Sequence, residues 1–195
     1  EAQKDRLTFI EGQCDDLEKS KADLLSIIKE LDQAAIIAFK ETFNVVNEHF
    51  KGIFTTLFNG GFAELHILDE NNVLDSGIEI LARVPGAKKS QSMSLLSGGQ
   101  NALTAVSLLF ALLSARPGPF CILDEIDAAL DDPNISRVTE LLQDYASKTQ
   151  IIIITHRQAM MSVADVMFGL TMAQKGISKV VSLKLPDKEK ALIEA

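Results

Sequence analysis

The chain has 195 residues, 47% apolar and 24% charged, a composition that suits a folded domain and excludes wholesale disorder. With 19 Lys and Arg against 27 Asp and Glu, its formal charge of −8 argues against a simple basic nucleic-acid module. Its two cysteines, Cys14 and Cys121, lie far apart in no metal-ligand spacing, which argues against a disulfide-stapled secreted domain and a zinc ribbon. A reducing, intracellular compartment is expected. The longest nearly apolar stretch, Leu103 to Leu113, is too short to span a bilayer, and no signal peptide is visible. The sequence begins at Glu1 rather than Met, which predicts a fragment or processed piece.

Between Glu1 and Lys51 there is no proline, and apolar residues recur at spacings of three and four: Leu7, Ile10, Cys14, Leu17, then Leu24, Ile28, Leu31, Ala35, Ala38. With Leu7 at heptad position a, Gly12 falls at the exposed f position and Lys21 is the one polar residue on the seam. The phase then slips, and Phe39, Phe43, Val46, Phe50, Ile53 and Leu57 carry the stripe onward, as expected of a helix leaving a two-stranded seam for a globular body. Such a helix would reach on the order of 75 Å. That is too long to lie on a small domain, and no second heptad segment exists here to cover it. The other reading is an ordinary amphipathic core helix.

After Gly60-Gly61, the alternation of Phe62 to Asp69 and Ile78 to Val84 predicts an antiparallel strand pair. Lys88 to Ser92 reads as a polar, mobile loop. A helix is expected from about Gln100 to Ala115, stopped by Pro117-Gly118-Pro119. The apolar run Phe120 to Leu123 ends in Asp124-Glu125, and a helix opens at Asp132-Pro133. A second apolar run, Ile151 to Ile154, ends in Thr155-His156. Strands near Val166 to Met172 and Ile177 to Leu185 are expected to finish the sheet before Pro186 and a short charged helix. Strand runs without polar alternation, separated by helices, predict an α/β body with a mostly parallel sheet buried on both faces.

Ligands of open α/β sheets bind beyond the carboxyl ends of the strands, where Asp124-Glu125 and His156 fall. One acid there can hold Mg²⁺ through water while its neighbour polarises an attacking water. The same acids also suit a solvated strand end followed by a helix cap. Leu96-Ser97-Gly98-Gly99-Gln100 precedes a strong helix: glycines permit close backbone approach, and free amides at a helix start favour an anion. An ordinary Ser-Gly-Gly cap would look the same, and a strand-end histidine alone is commonly a surface residue. His49 and His66 have no acidic or cysteine partner at ligand spacing and are read as structural.

In order, these pieces resemble the ATP-binding-cassette (ABC) ATPases. Within that group, FCILDEIDAALDD (Phe120 to Asp132), IIIITHR (Ile151 to Arg157) and the heptad helix resemble the C-terminal head lobe of SMC (structural maintenance of chromosomes) proteins of the bacterial condensin type. The resemblance extends through GIEILARVPGAKK and GISKVVSLKL. It implies residues 1–50 as a coiled-coil helix entering the head and 51–195 as the head lobe. It also implies a role for each site residue. Ser97, Gly98 and Gly99, with Gln100, would contact the γ-phosphate of an ATP held by an opposite head. Asp124 would act on Mg²⁺ through water, Glu125 would be the general base, and His156 would sense the γ-phosphate. Ala128, Ala129, Leu130 and Asp131 would form the D-loop across the interface. Most SMC signatures carry an acid and then a base after Ser-Gly-Gly, whereas Gln100 and Asn101 stand here.

A P-loop requires Gly-Lys-Ser/Thr, yet none of the 11 glycines is followed by lysine. In the family resembled, that loop lies in an N-terminal lobe, so the chain reads as half a head, inactive alone. The implied partners are that lobe, a second SMC head, a kleisin subunit bound through its winged-helix domain, and DNA. No membrane is implied, and the setting is cytoplasmic and nucleoid-associated. Rival readings are a transporter cassette, which lacks a heptad arm, a coiled-coil repair ATPase, and a non-catalytic adaptor that keeps the fold.

Overall fold

A computed structural model describes residues 2–185, the side chains of residues 2, 173 and 174 excepted. The short charged helix expected after Pro186 lies outside the described residues. A 56-residue helix, α1 (Ala2–Leu57), is followed by strands β1 (Phe62–Ile67), β2 (Ile78–Arg83) and β3 (Gln91–Ser92). Then come α2 (Gly98–Ala115), β4 (Phe120–Asp124), α3 (Asp132–Ala146), β5 (Gln150–Ile154), the short α4 (Gln158–Ser162), β6 (Val166–Gln174) and β7 (Ile177–Lys184).

The chain divides into two compact units. One comprises the residues up to Val45 together with Ile67–Ile78. Here the seam residues Leu7, Leu17, Leu24 and Leu31 are all more than half exposed. The segment after β1 is held by Leu68 N–H donating to the Gly77 carbonyl (3.0 Å) and Asp69 N–H donating to Ser76 Oγ (2.8 Å).

The second unit comprises Val46–His66 and the residues from Glu79 onward. Its part of α1 buries Val46, Phe50, Phe54 and Leu57, and the Phe54 and Phe58 rings stack with centroids 4.0 Å apart. Asn47 behaves like a piece of strand: its Oδ1 accepts the Leu65 N–H (2.8 Å) and its Nδ2 donates to the Leu65 carbonyl (3.3 Å). The α1 carboxyl end is capped by Arg137, whose Nη1 donates to the Leu57 carbonyl at 3.0 Å, a cation where the helix dipole is negative. Chain reversal follows at Asn59 to Gly61, all at positive φ. At Gly61 an added Cβ would lie 2.5 Å from the Arg83 carbonyl oxygen.

Strands β1, β2 and β3 form one small sheet in that order. The expected mobile loop ends differently from its reading. Gln91 and Ser92 pair antiparallel with β2, opposite Ala82 and Leu81, because a polar edge strand still satisfies its backbone groups. The core joins Leu57, Leu103, Val106, Phe110, Leu123, Leu130, Ile135, Val138, Leu142 and Met160. Phe110 and Tyr145 meet edge to face at 4.9 Å, and the Tyr145 hydroxyl contacts Ser114 Oγ, joining α2 to α3. By length and composition alone α2 is long and apolar enough to cross a membrane, a longer apolar segment than the sequence reading allowed, but its buried face is part of this core, as in the core helix of a folded domain.

Strands β4 and β5 pair in parallel, as expected, but they are not buried on both faces. Cys121, Leu123, Ile151 and Ile153 face the core, while Phe120 (57%), Ile122 (57%), Ile152 (44%) and Ile154 (52%) remain exposed. Nor do β6 and β7 finish that sheet. They form a separate antiparallel ribbon, Val166 opposite Lys184, in which successive residues of the two strands pair with each other, and among the described residues no strand bridges them to β5.

Two glycines separate backbone need from tolerance. Gly61→Ala is expected to lower stability by about 2 kcal/mol or more, through the positive φ and the clash with a carbonyl. Gly12→Ala, whose Cβ would meet nothing within 4 Å, should stabilise α1 by about 0.5–1 kcal/mol. Urea unfolding followed by circular dichroism tests both, and equal effects would contradict this assignment.

Candidate functional site

The parallel register runs Phe120 opposite Gln150, Cys121 opposite Ile151, and so on to Asp124 opposite Ile154. It continues one step further: Glu125 N–H donates to the Ile154 carbonyl at 2.9 Å. Asp124-Glu125 and Thr155-His156 therefore leave the same carboxyl edge of the sheet on neighbouring strands. Asp124, Glu125 and His156 are all exposed there.

Glu125 has φ +47°, the left-handed region that a side chain with a Cβ rarely adopts. That conformation costs roughly 1–2 kcal/mol. It turns the chain sharply off β4, and Ala128 N–H closes back on the Glu125 carbonyl (3.2 Å) and Leu130 N–H on the Asp127 carbonyl (3.1 Å). Leu130 drops into the core at 3% exposure, Ala128 and Ala129 stay exposed, and Asp131 becomes the N-cap of α3, accepting Asn134 N–H at 3.0 Å. With Pro133 in the first turn, α3 starts as the sequence predicts.

Helix α2 begins at Gly98, two residues earlier than expected, so the glycines belong to its first turn. Ser97 Oγ accepts Gln100 N–H (3.4 Å) and Gln100 Oε1 accepts Ser97 N–H (3.1 Å), a reciprocal capping box. Ser97 is thus a cap, and its hydroxyl proton stays available to an anion. Gly98 is exposed and a Cβ there would meet nothing within 4 Å, whereas one on Gly99 would lie 3.4 Å from the Ala129 carbonyl oxygen. Gly99 thus comes close to the backbone of the Ala128–Asp131 turn at Ala129. Among the described residues no hydrogen bond joins the Ser97–Gln100 turn to Asp124, Glu125 or His156.

An open helix start suits a phosphate, and exposed acids at the strand edge suit a cation held through water. Among the described residues no three His, Cys, Asp or Glu side chains gather as a metal cage. His66 has an acidic neighbour after all: Glu64 Oε1 lies 2.7 Å from its Nε2, because residues two apart share a strand face.

Sequence reasoning passed over Asp127, Thr155 and Arg157. Asp127 is fully buried and its Oδ2 accepts the Thr155 hydroxyl at 2.5 Å. Arg157 donates from Nη2 to the Leu130 carbonyl at 3.2 Å and from Nη1 to Asp132 Oδ1 at 3.5 Å. An acid set between Ile126 and Ala128 in an apolar turn was the available signal.

The family described as RecF/RecN/SMC N terminal domain matches residues 16–179. The chain belongs to this family. Relatives of the chain include chromosome partition proteins named Smc. That of Bacillus subtilis (strain 168) is 48% identical over 94% of this chain, and that of Mycobacterium tuberculosis 42% identical over 94%. The chain spans only 15% of the length of either relative.

Solved structures give the same grouping. An SMC head bound to the C-winged helix domain of ScpA is 40% identical with TM-score 0.71, over 78% of this chain and 46% of that one. A head with an extended coiled coil, bound to the C-terminal domain of ScpA from Pyrococcus furiosus, is 37% identical with TM-score 0.75, over 92% and 45%. A third, from work on ATP-driven dimerisation and DNA-stimulated activation of SMC ATPases, is 40% identical with TM-score 0.69, over 82% and 96%.

The backbone at Glu125 gives a test that needs no ligand. Glu125→Gly should raise stability by roughly 1 kcal/mol, since glycine adopts positive φ freely. A lower urea midpoint would show that the left-handed turn carries no strain.

Proposed function

We propose that this chain is the C-terminal part of an SMC ATPase head. With an N-terminal lobe that brings a P-loop, it binds and hydrolyses ATP between two engaged heads to drive chromosome condensation and segregation. The observation that carries the reading is the shared carboxyl edge of β4 and β5, where Asp124 and Glu125 stand beside the Thr155-His156 turn. Two further observations support it. No glycine is followed by lysine, so a phosphate cradle must come from another segment. The outer face of β4–β5 leaves four large apolar side chains half exposed. Covering them would contribute on the order of 3–6 kcal/mol, enough to hold a second lobe.

Each residue then has a task. Gly98 and Ser97, at the open start of α2, offer an amide and a hydroxyl to a γ-phosphate held by the opposite head, with Gly99 and Gln100 shaping the turn. Asp124 would hold Mg²⁺ through water, and the ion would supply neutralisation of phosphate charge. Glu125 orients and deprotonates the attacking water. His156 reports the γ-phosphate from the adjacent strand. Ala128 to Asp131 meet the opposite head. Gln100-Asn101, in place of the usual acid and base, alters the fit of that engagement without removing a catalytic group.

The partners follow the same reading: a second head, a kleisin subunit through its winged-helix domain, and DNA in the cytoplasm at the nucleoid. Solved relatives bound to ScpA support the kleisin. Arg83, Lys88 and Lys89, all exposed, are the cations available to DNA. A repair ATPase with a coiled coil would use the same edge. The Smc relatives, at 42–48% identity, favour the chromosome-partition reading.

Mixed with an Smc N-terminal lobe, the chain should hydrolyse Mg-ATP. Glu125→Gln should lower kcat by roughly 10²–10⁴-fold, the usual worth of a general base. The chain alone should show no turnover; activity without the lobe, abolished by Glu125→Gln, would contradict the split. Ser97→Arg in the assembled head should retain nucleotide yet sediment as a monomer with ATP. Undiminished dimer would remove Ser97 from the interface.

A further inference from the structure

A carboxylate with no exposure is costly unless both oxygens are paired, yet Asp127 Oδ1 has no partner among the described residues. The other oxygen makes one short bond, to the Thr155 hydroxyl at 2.5 Å. Thr155 Oγ1 in turn accepts the Arg157 N–H at 2.9 Å, a side-chain turn that closes over the single residue between them. That residue is His156. The Arg157 guanidinium then returns to the first strand's exit, donating to the Leu130 carbonyl at 3.2 Å. A continuous chain of bonds therefore runs from Asp127 through Thr155 and Arg157 to Leu130.

Each end of this chain is anchored beside a group of the proposed reaction. Asp127 lies two residues beyond Glu125, inside the turn that Glu125 opens with its left-handed backbone. Thr155 and Arg157 flank His156. The backbone bond from Glu125 N–H to the Ile154 carbonyl is the last of the strand pairing, and beyond it the two chains would be free to diverge. Past that point side chains join the two exits, the Asp127–Thr155 bond first and then Arg157 on the Leu130 carbonyl and Asp132. Hydrogen bonds in series polarise one another, and a charged acceptor strengthens the first of them.

We infer that Asp127 is a positioning residue for ATP hydrolysis: through Thr155 it fixes the His156 turn against the Glu125 turn. The inference rests on the ATPase reading above. Asp127 itself, buried under the edge, touches no substrate. Its loss leaves nucleotide binding in place and disturbs the relative placement of base and sensor.

The test uses the head assembled from this chain and an Smc N-terminal lobe, with thermal melting measured beside ATP turnover. Thr155→Val keeps the side-chain shape and removes the hydroxyl, whereas Thr155→Ser restores it. Thr155→Val is expected to lower kcat about 10-fold or more with KM for ATP within about twofold, and Thr155→Ser to recover at least about a third of kcat. Asp127→Ala should match Thr155→Val, Asp127→Asn should retain most activity because its carbonyl still accepts the hydroxyl, and Asp127→Ala with Thr155→Val together should be no worse than either alone.

Equal losses in Thr155→Val and Thr155→Ser, an unchanged kcat in Thr155→Val, additive losses in the double variant, or a change confined to KM would each overturn the inference. If Asp127→Ala does not fold, the Thr155 pair decides. No turnover in the unsubstituted head would remove the ATPase reading itself. Turnover there with Thr155→Val undiminished removes only the role of Asp127.

Discussion

The parallel pairing of β4 with β5 is the constraint on which the rest of the second unit depends. Five residue pairs in register bring two apolar strands to the same end, and the Glu125–Ile154 backbone bond extends that register into the turn. A shift by one residue would exchange the core-facing Cys121 and Leu123 for the exposed Phe120 and Ile122. It would also carry Asp124 away from Ile154. Burial of one strand face thus fixes where the acids and the histidine emerge. The left-handed Glu125 is held by this frame, since a single strained residue persists only where its surroundings over-determine it.

The same sheet shows what the chain does not supply. Its inner face is closed by α2 and α3 around Phe110, Val138 and Leu142, while its outer face presents Phe120, Ile122, Ile152 and Ile154. In the first unit, the leucines of the heptad seam are exposed in the same way. A water-facing β-strand would carry polar residues at those positions, and a solitary surface helix would not repeat leucine at heptad spacing. Both patterns call for a second surface, and a head lobe with its returning helix would provide one for each.

Much of this was legible in the sequence, for physical reasons. The heptad spacing gave α1, the apolar runs gave β4 and β5, and Asp131 to Pro133 gave the start of α3, because each signal is local and periodic. The elements misread depend on partners outside the local window. Gln91-Ser92 is too short and polar to show as a strand until β2 offers bonds to it. Strands β6 and β7 have the composition of sheet strands, but which neighbour each would choose is not encoded in composition. Burial on both faces was inferred from apolar runs, yet this chain covers only one face of them and leaves Phe120, Ile122, Ile152 and Ile154 exposed. Within the site, Asp124, Glu125 and His156 stood out as polar groups ending apolar runs. Asp127 did not, because its burial and its bond to Thr155 arise only when the two strand exits meet.

The account's central claim is that the β4–β5 edge is where this chain meets Mg-ATP. A crystal structure of the assembled Glu125→Gln head with Mg-ATP tests it most directly. The account predicts Asp124 near the metal through a water, residue 125 facing the γ-phosphate, and Ser97 with Gly98 on the nucleotide of the opposing head. Nucleotide bound with this edge turned away from the phosphates would contradict it.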